Sequence, residues 1–182
     1  GSGSGIQAET AMTSKAVTSV LAADIDPQAV ALLTQKGLYA VQSDLFWKVP
    51  GTFDTVIFNP PYLPEDPDYK DIALDGGRKG WEVLERFFAQ LNPHLKPDGI
   101  CLIVFSSLTD RKKVDWLISR YGLEQETLET IHIGFEDIYA YAIRKTPFLQ
   151  LLERKSVTGA ELFAKGHRGF IFTGMLGKKK VA

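Results

Sequence analysis

The sequence predicts an α/β three-layer sandwich with a mostly parallel sheet, and three observations predict it. Short apolar runs alternate with stretches whose apolar residues recur at helical spacing. The run Phe53 to Phe58 reads as a continuous apolar strand, the pattern of a parallel sheet covered on both faces. The alternation closes on two strands in succession, near Glu126 to Ile133 and Asp137 to Ile143.

The elements follow in order. Ile6 to Ser14 can form a helix behind a Gly-Ser-Gly-Ser-Gly start. Val17 to Ala23 is rich in β-formers and runs into Asp24-Ile25-Asp26-Pro27. Asp26 suits a helix N-cap and Pro27 the first helical position, where its missing N–H would be unpaired in any case. Ala29, Val30, Leu32 and Leu33 give that helix an apolar face, and Gly37 supplies its left-handed stop. A short strand is expected at Leu38 to Val41. After a proline-rich loop, Leu84, Phe87, Phe88 and Leu91 mark a second helix. Pro97-Asp98-Gly99 turns into Ile100 to Phe105, the most hydrophobic strand. Asp110 to Tyr121 reads as a helix ended by Gly122. In the tail, Phe148 to Glu153 suits a helix and Gly169 to Leu176 a strand. Right-handed crossovers place ligand-binding loops at the carboxyl ends of the parallel strands.

Composition bounds the function. A length of 182 residues favours one domain, and 45% hydrophobic with 24% charged residues excludes disorder and fibrous repeats. No apolar run reaches the roughly 20 residues that cross a bilayer, and no signal-peptide pattern opens the chain. The single Cys101 excludes an internal disulfide and a Cys-rich zinc site. A soluble protein of the reducing cytoplasm is expected. Of 21 Lys/Arg and 22 Asp/Glu, nine basic and two acidic residues lie from Arg144 onward, leaving 12 against 20 before it. An acidic body thus carries a basic tail.

Four segments can carry chemistry. In a glycine loop between strand and helix, Gly1, Gly3 and Gly5 let backbone N–H groups approach a ligand with no Cβ between. An expression linker has the same composition. An acidic residue closing the next strand can accept from both ribose hydroxyls. Asp26 is explained as a cap, so Asp24 is the better candidate. One strand later, Asp44 of Ser43-Asp44-Leu45 is placed to accept from an exocyclic amine while Leu45 packs on a purine; a turn-forming Asp is the plainer alternative. Asn59-Pro60-Pro61-Tyr62 is the most informative segment. Two prolines fix the backbone and remove two donors. The Asn59 side-chain oxygen and the Pro60 carbonyl can then both accept from a planar –NH2, with the Tyr62 ring beside it. That suits an amide or aryl amine whose delocalised lone pair must be aimed at an electrophile. His94, His132 and His167 lack metal-ligand spacing, so no metal site is expected. Cys101 reads as a buried small hydrophobe, and Trp47, Trp81 and Trp116 as packing residues.

In order, these segments resemble the motifs of class I S-adenosylmethionine-dependent methyltransferases, which have a Rossmann-like fold. Asn-Pro-Pro-Tyr is the form found in enzymes that methylate amino groups of adenine, cytosine or glutamine. A further stretch, Ala73-Leu74-Asp75-Gly76-Gly77-Arg78-Lys79-Gly80 with Val83 to Phe88, resembles the HemK family of release-factor glutamine methyltransferases, in its archaeal and eukaryotic branch. The resemblance implies S-adenosylmethionine as cofactor, with S-adenosylhomocysteine as product. It assigns Gly1 and its loop to the methionine part, Asp24 to the ribose, Asp44 and Leu45 to the adenine. Asn59 and Pro60 would grip the acceptor glutamine, with Tyr62 shaping the pocket. It also implies a class I peptide chain release factor as substrate and a small zinc-binding activator subunit as partner.

The resemblance covers residues 1–145, the expected methyltransferase core, and leaves 146–182 as a basic C-terminal extension. In the family a strand and an acidic residue precede the first glycine. The first strand is therefore expected to be missing, and the isolated chain to be less stable and a weak binder of cofactor. The alternative is an adenine-N6 methyltransferase acting on RNA or DNA, with Lys165, His167, Arg168 and Lys178 to Lys180 on phosphates. The acidic body and the 73–80 segment favour the protein substrate.

Overall fold

The computed structural model describes residues 1–69, 71–154, 157–166, 169–176 and 179–181. Helix α1 is Ile6–Met12 and strand β1 is Leu21–Asp24. The expected strand is shortened from Val17 because its partner, β2 (Tyr39–Gln42), offers only four residues, paired in parallel from Leu21↔Tyr39 to Asp24↔Gln42. Between them α2 (Pro27–Gln35) begins as anticipated: the Asp26 carboxylate accepts from the Gln28 N–H, and Gly37 takes φ 78°.

A second section of sheet has the order β3-β4-β6-β5. Strand β3 is Phe53–Phe58 and pairs in parallel with β4, Leu95–Ser106. The Pro97-Asp98-Gly99 turn is absorbed into β4 as an irregularity: the register jumps from Phe53↔Leu95 to Thr55↔Ile100. Strands β5 (Leu123–Ile133) and β6 (Glu136–Lys145) form the closing antiparallel hairpin, with β6 also antiparallel to β4. The sheet is thus mixed, with parallel pairs β1/β2 and β3/β4.

Helices cover both faces of β1. On β1, Ala22 packs with Ala8 and Leu33 from α1 and α2, while Leu21 and Ala23 turn to the main core. That core is filled by α3 (Glu82–Leu91) and α4 (Arg111–Arg120). Leu84, Phe87, Phe88 and Leu91 of α3 are all buried, as their i, i+3, i+4, i+7 spacing requires. Each such burial stabilises the fold by about 1.5–3 kcal/mol.

One expectation for β3 fails. Asp54, Thr55 and Ile57 are exposed, so the strand is not buried on both faces. Among the described residues no strand pairs with its second edge. β1 and β3 instead face each other across a gap, where a cavity of about 130 Å³ is lined by Leu21 and Ala23 on one side and Val56, Ile57 and Phe58 on the other.

After the core, α5 (Pro147–Glu153) starts at Thr146, and β7 (Val157–Gly166), β8 (Gly169–Leu176) and β9 (Lys179–Val181) form an antiparallel sheet. His167, Arg168 and Lys178, offered above as phosphate contacts, lie outside the described residues. Among the described residues no helix is long and apolar enough to cross a membrane.

Candidate active site

Asp24, Asp44 and Asn59 lie at or just beyond the carboxyl ends of the parallel strands β1, β2 and β3, and Gly1, Ser2 and Leu45 line the cavity between β1 and β3. Gly1 to Gly5 wrap the end of β1. The Gly1 and Ser2 nitrogens donate to the Ala23 carbonyl at 2.9 and 3.0 Å, and the Ala23 N–H donates back to Ser2 Oγ at 2.9 Å. Gly3 (φ 49°) and Gly5 (φ 90°) adopt left-handed backbone. A Cβ at Gly5 would stand 2.7 Å from the Leu33 side chain, and one at Gly1 3.2 Å from the Phe58 ring. The start is therefore a structured loop, not a trailing linker.

Asp24 is 6% exposed, and both its oxygens are already engaged. Oδ2 accepts from the Gly3 N–H at 2.7 Å and Oδ1 from the Asp26 N–H at 3.0 Å. Burial alone would raise its pKa, but the Asp26 and Gly3 amides and the Gly1 amino group outweigh burial and hold it below the ordinary carboxylate value. Asp24 thus fixes the glycine loop, and each oxygen retains a further lone pair for a ligand.

Asp44 accepts from the Arg86 guanidinium, an ion pair across 42 residues that no local pattern signals. Leu45 is the only non-glycine described residue with positive φ, 50°. Such backbone costs about 1–2 kcal/mol and gathers at functional sites. Trp47 next to it is 83% exposed, against the expectation of a packing residue, because the short Asp44–Val49 turn carries it outward from the core. Trp81 and Trp116 do pack on the core, with Lys113 Nζ 4.3 and 4.2 Å from their ring centroids.

The Asn59–Tyr62 turn leaves β3 with Asn59 exposed and Pro60 buried. Among the described residues no hydrogen bond takes up the Asn59 side chain or the Pro60 carbonyl. Both acceptors are free. Tyr62 is half-buried, and burial first, then the Glu136 carboxylate, raises its phenol pKa, so it stays neutral at pH 7. Three features around this turn have no local signature in the sequence. The Thr109 hydroxyl donates to the Tyr62 carbonyl, and the Ser106 hydroxyl donates to Glu136. The 73–80 segment clamps the turn: Leu63 N–H donates to Leu74 O at 2.9 Å and Gly76 N–H to Leu63 O at 2.8 Å.

Cys101, His94 and His132 have plain surroundings. Cys101 is buried and burial pushes its thiol far up, so it is inert. His94 stacks on Phe46 and reaches the Gly51 carbonyl, and His132 pairs with Asp137 at the surface.

No family model matches the chain. A Methanocaldococcus jannaschii protein that carries the name protein N5-glutamine methyltransferase is 35% identical over 139 residues, spanning 70% of this chain and 71% of that protein. The release factor glutamine methyltransferase of Lactococcus lactis is 30% identical over 115 residues, 54% of this chain and 43% of the longer bacterial protein. Among solved structures, the E. cuniculi Mtq2–Trm112 complex, responsible for methylation of the eRF1 translation termination factor, matches with a TM-score of 0.66. The match has 24% identity and covers 80% of this chain and 81% of that one, a likeness of fold.

Proposed function

Because the chain belongs to the protein N5-glutamine methyltransferase family, we propose that it methylates the side-chain amide nitrogen of the glutamine in the Gly-Gly-Gln loop of a class I release factor. One observation carries the reading of the site: Asn59 and Pro60 present two adjacent oxygen acceptors that the protein itself leaves unused. A glutamine –NH2 has two donors and no free acceptor on nitrogen, so two oxygens match it. Held by both, the nitrogen cannot rotate away from its line of attack, and positioning supplies most of the catalysis. The neutral Tyr62 ring walls the pocket. As the N–CH3 bond forms, the nitrogen releases one proton to water.

S-adenosylmethionine supplies an electrophilic methyl group when bound and leaves as S-adenosylhomocysteine. The residues fit it: the glycine loop exposes backbone with no Cβ over Gly3, where nothing stands within 4 Å of a Cβ position. Gly1, Gly3 and Gly5 would hold the methionine part. Asp24 would use its remaining lone pairs on the ribose hydroxyls, and Asp44 with Leu45 would hold the adenine. We place this machinery in residues 1–145, with 146–182 as an extension, and the protein in the cytoplasm. A small zinc-binding activator subunit would complete the assembly, a reading supported by the fold neighbour from E. cuniculi being a complex of Mtq2 with Trm112. Mass spectrometry of a release factor after incubation with chain and cofactor tests the proposal. A mass gain of one CH2 on the Gly-Gly-Gln peptide is expected from the wild type and not from Asn59→Ala.

A further inference from the structure

Two consecutive prolines leave the acceptor turn without the N–H groups by which a turn normally fastens itself, so it must be anchored from outside. The anchors lie just downstream of the acceptor pair. Tyr62 gives its carbonyl to the hydroxyl of Thr109, a fully buried residue 47 positions away in the chain. Gly80 approaches the same carbonyl so closely that a Cβ there would stand 2.6 Å from it. Leu63 is bridged to Asp75 through the Leu74 carbonyl and the Gly76 N–H.

Thr109 stands just before α4, where a threonine would ordinarily cap the helix. Here Asp110 performs that task by accepting from the Lys113 N–H. The Thr109 N–H donates to the Ser106 carbonyl at 3.0 Å, and its hydroxyl is left for Tyr62. We infer that Thr109 is a positioning residue for methyl transfer, fixing the Tyr62 peptide and through it the direction of the Pro60 carbonyl. The inference rests on the reading of Asn59 and Pro60 as the acceptor grip. Losing the hydroxyl frees the Tyr62 carbonyl to rotate, and small misplacements of an aligned acceptor cost rate far more than binding.

The test uses the full chain with Thr109→Val, which keeps shape and loses the donor, and Thr109→Ser, which keeps the donor. Thr109→Val is expected to lower kcat on the release factor about tenfold or more, with cofactor affinity within about twofold of wild type. Amide exchange at Leu63 should quicken about tenfold. Thr109→Ser should restore both. A Thr109→Val protein with wild-type kcat and exchange overturns the inference. So does a Thr109→Ser protein as impaired as Thr109→Val, or a loss of cofactor affinity equal to the loss of rate. Should the wild type leave glutamine unmodified, the acceptor reading fails on its own, while exchange at Leu63 still decides the anchor.

Discussion

Asn59 sits where a strand ends and two prolines begin, and its side chain has no hydrogen-bond partner among the described residues. Asn59→Ala is expected to abolish methyl transfer while weakening cofactor binding by at most about 1–3 kcal/mol, the scale of one lost hydrogen bond; calorimetry beside a turnover assay separates the two. Asp24 behaves differently because it supports the loop itself. Its carboxyl pKa is lowered in the fold, so it stabilises the protein above the ordinary carboxylate range and ceases to as pH falls through the folded value. Asp24→Asn should therefore be less stable than wild type at pH 7, and urea melts should show the gap closing below about pH 4. The two positions also show what a sequence can reveal. The Asp26 cap was readable because donor and acceptor are two residues apart. The Gly3 bond to Asp24 Oδ2 and the Asp44–Arg86 pair were not, because their partners lie 21 and 42 residues away.

Among elements, helices were placed closely because caps and apolar spacing are local: Asp26 and Pro27 begin α2, and Asp110 begins α4. Strand character was harder. The composition of β3 suggested cover on both faces, but burial depends on neighbours the strand does not encode, and among the described residues its second edge has none. The 73–80 segment was legible as a motif, while its physical role emerges only from contact. A Cβ at Gly76 would lie 2.2 Å from the Gly80 carbonyl and 2.7 Å from the Pro61 carbonyl. Gly76→Ala should thus displace the acceptor turn and abolish transfer while α2 and the glycine loop, and with them much of the cofactor affinity, remain. At the other end of the sheet, the Lys145 ammonium is buried between the Asn92 carbonyl and the Glu153 carboxylate, tying α5 to the core. Glu153→Ala leaves that charge unpaired and should cost about 3 kcal/mol in a chemical melt.

At the scale of the methyltransferase core, the β1-β2 and β3-β4-β6-β5 sheets stand on either side of a cavity lined largely by apolar residues. Among the described residues neither facing edge pairs with another strand, although Gly1 and Ser2 take up the Ala23 carbonyl and N–H at the end of β1. Joining an extended, β-branched segment of about five residues ahead of Gly1 should fill the gap in parallel with β1 and β3. A thermal melt should then rise by about 3 °C or more, the effect of one additional kcal/mol in a domain this size; an unchanged melt would mean that the gap is not shaped for a strand. With 20 Asp/Glu against 12 Lys/Arg before Arg144, the acidic body disfavours a phosphate-rich acceptor. The decisive measurement is the identity of the methylated atom. Tandem mass spectrometry of a release factor and of bulk RNA, each incubated with the chain and labelled cofactor, should place the label on the amide nitrogen of the Gly-Gly-Gln glutamine and leave the RNA unlabelled; label on adenine with an unmodified glutamine would contradict the account.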